Sequence, residues 1–201
     1  MSHSIITYNF CPQCGKPLIQ AEISKRVYPF CPDCSFVHWG EFSLGVGGVV
    51  WRENKVLLVQ RANNPGKGNW TIPGGFVEQK ERIAEAVVRE LQEETGLETE
   101  PVSLIALRDR PGNKHDLYMV YLLRYLSGEL QPELEEVSNI GFFTVEECRN
   151  LPLAHLSLSI IEATQTQLNG FIPQSGIQLV GEKSVLYQAL PPYPTPPNNS
   201  I

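Results

Sequence analysis

Three glutamates pose the first chemical question. Glu90, Glu93 and Glu94 lie close together in the chain and, at about 100° per residue, share one arc of about 100° on a helical wheel. Ala84, Val87, Val88 and Leu91 take the neighbouring arc, so the acids border the buried stripe of the helix. At ~5 Å and an effective dielectric near 20, each carboxylate pair repels by roughly 3 kcal/mol. A solvated helix face would intersperse lysines, and here only Arg89 is near. A divalent cation relieves the repulsion directly, and hard oxygen ligands at this density suit Mg2+ or Mn2+, not zinc. Taken alone, the acids also fit a solvated helix surface.

A second set of chemistry-bearing residues lies near the N-terminus. Cys11 and Cys14, then Cys31 and Cys34, form two Cys-Pro-x-Cys pairs separated by sixteen residues. That spacing is the arithmetic of a zinc site. Four cysteine ligands leave no coordination position open, so the expected Zn2+ is structural. Gly15 follows the first pair and lets the backbone turn tightly enough to aim two thiolates at one ion. His38 is expected to pack rather than ligate, and Cys148 to be a half-buried thiol. The segment 1–40 carries a net charge of only +1, thin for nucleic-acid binding. A ribbon that braces the catalytic domain or a homodimer interface is the preferred reading.

The elements that must position these groups follow from the residue pattern. Phe42–Trp51 and Lys55–Arg61 read as strands joined by a polar turn. Asn63–Gly75 holds four Gly, two Pro and three Asn, a loop composition. Glu81–Thr95 has helical spacing and stops at Gly96. Pro101–Arg108, Leu117–Leu126 and Ile140–Phe143 read as strands. Thr144 and Glu147 form a capping box for a helix over Val145–Asn150, and His155–Leu168 has the spacing of another. The expected division is a zinc ribbon over 1–40, a catalytic domain over 41–170 and an extension with a proline-rich tail over 171–201.

Gly75, Glu81, Arg89-Glu90-Leu91, Glu93-Glu94 and Gly96-Leu97 match G-x5-E-x7-R-E-U-x-E-E-x-G-U, with U a bulky apolar residue, at all nine specified positions over twenty-three residues. This stretch resembles the box of the Nudix hydrolases, and Trp70-Thr71-Ile72-Pro73-Gly74-Gly75 resembles the family's lead-in. The resemblance covers roughly residues 42–168. It implies an α/β/α sandwich with a mixed sheet, here preceded by a small zinc ribbon, and hydrolysis of a diphosphate linking a nucleoside to another group. It further implies that Glu90, Glu93 and Glu94 hold the catalytic cation and Arg89 orients and balances them. Glu81 would support the cluster, with Gly75 and Gly96 setting the loop-helix-loop geometry. Family members often draw a general base from the loop before a late strand, which points to Glu136, then Glu135; Glu90 is the rival.

A zinc ribbon ahead of such a domain resembles NADH pyrophosphatases and the zinc-ribbon members acting on FAD or ADP-ribose. The NADH type carries S-Q-P-W-P-F-P-x-S downstream of the box, and Leu107–Asn113 shows no trace of it. Pro111 lies fifteen residues beyond Gly96, close to where ADP-ribose-selective members tend to have a proline. The expected substrate is therefore ADP-ribose or FAD, cleaved to AMP and a second monophosphate. Arg61, Gly74, Gly75 and Pro111 are the candidate substrate contacts; Trp70 could stack on a base, and Arg108, Arg110, His115 and Tyr118 lie where a substrate loop would sit. Rival readings are an NADH pyrophosphatase, a hydrolase of oxidised nucleoside triphosphates, an mRNA-decapping activity, and a non-catalytic nucleotide sensor.

Composition narrows the class further. The chain has 201 residues, 42% apolar and 19% charged, with a net charge of −6. That balance fits a globular protein able to bury a core and argues against a coat for polyanions. No stretch reaches the ~20 apolar residues of a membrane span, and Met1–Phe10 lacks the pattern of a secretory signal. A cytoplasmic location is expected.

Overall fold

The computed structural model describes residues 8–165, 169–174 and 185–190. The chain forms two compact units, one running up to Phe42 with Gly112–His115, the other holding the remainder.

The first unit is built on a hairpin of β1 (Ile19–Ile23) and β2 (Arg26–Phe30). Its turn residues Ser24 and Lys25 both have positive φ, 52° and 66°, as the twist of a two-residue hairpin demands. Each cysteine pair closes a knuckle of the same construction. The Cys11 N–H donates to Lys16 O and the Gly15 N–H to Cys11 O; the Cys31 N–H donates to Phe36 O and the Ser35 N–H to Cys31 O. Gly15 and Ser35 hold equivalent left-handed positions, φ 73° and 62°.

The second unit is an eight-stranded sheet with helices. Its strands are β3 (Glu41–Arg52), β4 (Lys55–Arg61), β5 (Trp70–Thr71), β6 (Glu98–Arg110), β7 (Lys114–Ser127), β8 (Val137–Phe143), β9 (Asn169–Gln174) and β10 (Val185–Leu190). The order is β5-β4-β3-β7-β6-β10-β9, with β8 also paired to β4. The helices are α1 (Ile83–Thr95), α2 (Val145–Asn150) and α3 (His155–Ala163).

Strand alternation divides the core into two layers. Val46 and Val50 turn to one face, where they meet Ala86, Val87 and Leu91 of α1, together with Leu57 and Leu123. Val49 turns to the other, with Val56, Leu58, Val145, Cys148, Ile160 and Ile161. Helix, sheet and helix thus stack in three layers, and each fully buried Val, Leu or Ile adds about 1.5–3 kcal/mol. Cys148 is fully buried, not half-buried as expected, because it lies on the inner face of α2.

Several boundaries moved. α1 begins at Ile83, since Arg82 is its extended N-cap and donates its N–H to the Glu85 carboxylate at 2.8 Å. It ends at Gly96, in the left-handed region at φ 74°. The expected loop 63–75 contains β5, which pairs Trp70 and Thr71 with β4. β6 and β8 each start three residues earlier than expected. The capping box of α2 is present, with the Thr144 N–H on Glu147 Oε2 at 2.7 Å and the Glu147 N–H on Thr144 Oγ1 at 3.2 Å. Strands β9 and β10 were not anticipated; β10 pairs with β6. The far end of the expected third helix, residues 166–168, and the proline-rich tail, 191–201, lie outside the described residues.

Candidate active site and metal centre

Helix α1 presents its acids as the wheel foretold, but the three differ in exposure and partners. Glu94 is 9% exposed, and its Oε2 accepts the Gly74 N–H at 2.7 Å. Burial pushes its pKa up to about 8, with Glu90 and Glu136 adding to the rise and Gly74 and Arg61 opposing it. Glu90 is also raised, first by burial and then by the charges of Glu93 and Glu136, against the pull of Arg89. Glu93 faces solvent.

Arg89 is the hub of the group. It donates Nε to Glu81 Oε2 at 3.0 Å and Nη2 to Glu81 Oε1 at 2.8 Å. Its Nη1 reaches Glu90 Oε1 at 3.0 Å and Glu93 Oε2 at 2.9 Å. A further bond from Nη2 to Phe76 O at 3.1 Å ties the preceding loop to the helix. Glu81 is held below its usual pKa by this contact, so its place just before α1 acts as a brace. Gly75 packs so closely on Glu90 that a Cβ there would land on the carboxylate.

One guanidinium cannot neutralise four acids, and Glu94 lies out of its bonding reach. Without a cation the buried Glu94 carboxyl holds its proton near neutral pH, and a hard divalent cation that displaced this proton would give the carboxylate the partner it lacks. Mg2+ would suit such a set, because it keeps several waters and binds directly to few carboxylates. Glu136 is exposed, and its backbone carbonyl accepts the Ala62 N–H at 2.8 Å at the end of β4. Its charge is the one felt by Glu90 and Glu94. Glu135 is anchored through its carbonyl, which accepts Asn63 Nδ2 at 2.6 Å.

Beside Gly74 and Gly75 opens a cleft of about 860 Å³, ample for a dinucleotide-sized ligand. Its walls carry Arg61, Trp70, Arg108, Arg110 and Tyr118, with the start of α3. Trp70 is almost fully buried and packs edge-on against Phe143, ring centroids 4.8 Å apart. Pro111 and His115 are not among the lining residues; His115 stacks on Phe42 at 5.5 Å. Asp116, which the sequence reading passed over, is 7% exposed and takes ion pairs from Arg108 at 2.6 Å and Arg110 at 2.9 Å. The available signal was an Arg-x-Arg and an Asp on opposite arms of a short hairpin.

The cysteine centre is separate chemistry. The sulfurs of Cys11, Cys14, Cys31 and Cys34 all lie within 4.8 Å of one another. The nearest are Cys11 to Cys34 and Cys14 to Cys31, both 3.5 Å, far beyond a disulfide bond. A tetrahedron with 2.3 Å Zn–S bonds has edges of about 3.8 Å, so the set fits zinc. Burial raises the Cys11 thiol, but hydrogen bonds from the backbone N–H groups of Cys14 and Gln13 and from the Cys34 and Cys14 thiols together bring it down to about 7. His38 packs against Tyr8, centroids 4.3 Å apart with the rings tilted by 33°, outside the sulfur set.

Comparison with known proteins agrees with this architecture. The family model of the NUDIX domain matches residues 41–163. The chain is 38% identical over 116 residues to an ADP-ribose pyrophosphatase of Methanocaldococcus jannaschii, covering 56% of this chain and 68% of that protein. It is 30% identical over 145 residues to an NAD-capped RNA hydrolase NudC of Stutzerimonas stutzeri, covering 72% of this chain but 51% of the relative. Among solved structures, a NUDIX hydrolase from Nitrosomonas europaea superposes with a TM-score of 0.69 at 28% identity, over 78% of this chain and 89% of that one. No helix among the described residues is long and apolar enough to cross a membrane. With the box residues assembled on α1 and the family model spanning the sheet and its helices, the chain belongs to the Nudix hydrolases, enzymes that cleave pyrophosphate bonds in nucleotide substrates.

Proposed function

We propose that this enzyme is a Mg2+- or Mn2+-dependent pyrophosphohydrolase whose principal substrate is ADP-ribose, with FAD second, giving AMP and ribose 5-phosphate or FMN. The observation that carries the reading is buried Glu94, pinned to Gly74 beside the cleft and unrelieved by Arg89. The resemblance to an ADP-ribose pyrophosphatase supports the substrate. Glu90, Glu93 and Glu94 would hold the cation, which when bound neutralises phosphate oxygens and lowers the pKa of the attacking water. Arg89 keeps Glu90 and Glu93 aimed, and the Gly74–Gly75 backbone fixes where the diphosphate meets them. Glu136 takes the proton of the water as its oxygen bonds to phosphorus and the bridging P–O bond breaks. Positioning and electrostatics then supply most of the rate. Zn2+ in the ribbon is structural, and four reduced thiols suit a cytoplasmic setting. The unit division of the chain supports a separate ribbon ahead of the catalytic domain.

The test is product analysis with Mg2+ at equal concentrations of ADP-ribose, FAD, NADH, diadenosine polyphosphates, 8-oxo-dGTP and capped RNA. AMP released fastest from ADP-ribose supports the reading, whereas faster cleavage of NADH or NAD-capped RNA moves the enzyme to the NudC activity. A flat panel from folded, zinc-loaded protein favours the nucleotide sensor.

Gly75→Ala tests the close approach on Glu90. The added methyl meets the far end of a flexible side chain, so the fold should absorb it at little cost in melting temperature. Displacing the carboxylate by about 1 Å should lower kcat/KM by about a hundredfold. Activity within a few-fold of the parent would show that Glu90 needs no such placement.

A further inference from the structure

The cleft beside Gly74 and Gly75 carries an arrangement that the hydrolysis itself does not use. In the β6–β7 register, Arg108 faces Tyr118 and Arg110 faces Asp116. Residues two apart on a strand share a face, so all four side chains stand together, and all four line the cleft. Asp116 accepts both guanidinium groups on its Oδ2, and Ser43 Oγ donates to its Oδ1 at 3.4 Å. The Arg108 guanidinium also lies over the Tyr118 ring, 5.1 Å from its centroid. Two cations share one carboxylate, which leaves a net positive charge on rigid, partly desolvated groups. An arginine fixed by a carboxylate and an aromatic face keeps its remaining N–H donors in one plane, the geometry that recognises phosphate oxygens. Arg61, on the same cleft, adds a third positive group.

We propose that Arg108 and Arg110, yoked by Asp116, form a cation-independent site in the cleft that binds the substrate's diphosphate and selects anionic nucleotides. The inference rests on the nucleotide-diphosphate reading above, and it assigns the binding of charge to two separate devices. The glutamates act through a divalent cation. The arginine pair acts without one, so nucleotide diphosphates should bind before the cation arrives.

The experiment measures equilibrium binding of ADP-ribose, ADP and adenosine to the full, zinc-loaded chain without added Mg2+ or Mn2+, with product analysis confirming that the ligand stays intact. ADP-ribose and ADP should bind far more tightly than adenosine, and the advantage should shrink with salt. Arg110→Ala should weaken both diphosphates by about tenfold or more, leave adenosine unchanged and leave the melting temperature in place. Arg110→Lys should recover only part, because lysine cannot make the paired bonds. Arg108→Ala alone would strand Asp116, so Arg108→Ala is combined with Asp116→Asn, with the same result expected. Unchanged diphosphate affinity in both variants overturns the proposal, as does an equal loss for adenosine, which would mean general damage to the cleft. The two readings fail separately: an active Glu94→Gln enzyme sinks the cation assignment, whereas arginine variants that bind and cleave normally sink only this one.

Discussion

Glu94→Gln is expected to lower turnover on the preferred substrate by about 10²–10⁴-fold while leaving the fold intact. The substitution keeps the volume and an oxygen able to accept the Gly74 N–H, so the loop contact at 2.7 Å survives. What disappears is the charge that would bind a cation in a buried place. Lewis-acid stabilisation of a phosphoryl oxygen supplies several kcal/mol, and each 1.36 kcal/mol is a decade in rate. A thermal scan gives an independent readout. Mg2+ or Mn2+ should raise the melting temperature of the parent, because a ligand bound to the folded state alone stabilises it. The shift should vanish in Glu94→Gln, and the metal-free variant should be at least as stable as the parent, since a charge that burial disfavours has been removed. Glu136→Gln should behave differently, slowing the chemical step while the cation-induced shift persists. A Glu94→Gln enzyme with near-normal turnover would remove the metal assignment; a Glu136→Gln enzyme at full speed would pass the base role to Glu90 or Glu135.

Stripping zinc is the second large effect. Apparent zinc binding energies for such sites are about 10–16 kcal/mol, more than a segment this small gains from its own core. Cys11 and Cys31 are buried, 2% and 0% exposed, and each also closes its knuckle through backbone bonds. Chelation, or Cys31→Ser, should therefore abolish amide protection across β1 and β2 in hydrogen exchange. Protection of β4 and α1 should remain, and cleavage with Mg2+ restored should continue. If turnover instead tracked zinc stoichiometry in a correctly folded sample, the zinc would have to be catalytic.

The two clusters of side chains were legible in the sequence for the same reason. Nine box positions span one loop and one helix, where 3.6-residue periodicity converts spacing into a shared face. The cysteine pairs lie in two local knuckles, where spacing alone brings the sulfurs together. The fold class followed from the family resemblance, with β3 and β4 readable as a Gly- and Val-rich stretch and a short apolar run. The arginine wall was not legible as a site. It depends on the pairing of Arg108 with Tyr118 and Arg110 with Asp116, and the β6–β7 ladder reaches that register only through shifts between Glu98 and Thr99, Pro101 and Ser103, and Leu104 and Ala106. Each one-residue slip reverses the side a residue faces, so the Arg-x-Arg and the Asp on the two arms of the hairpin do not by themselves say which residues face one another. β5 was missed because two residues among glycines and prolines carry no alternation to read.

Strand β4 imposes an order on synthesis. Its main partner is β8, and the register joins Val56 to Phe143 and Leu57 to Phe142, a separation of roughly ninety positions with the loop-closure cost that slows folding. α1 also owes its place to Leu57 and Leu123, which share its core. A ribosome that has released the complete box has thus not yet released the strand that completes the sheet beneath it. The cysteine knuckles, closed over a few residues each, can capture zinc as soon as Cys34 emerges. The cysteine knuckles can therefore close while the catalytic unit is still waiting for its last strands, and the nascent chain could hold a metal ion at the cysteines before it can carry out hydrolysis.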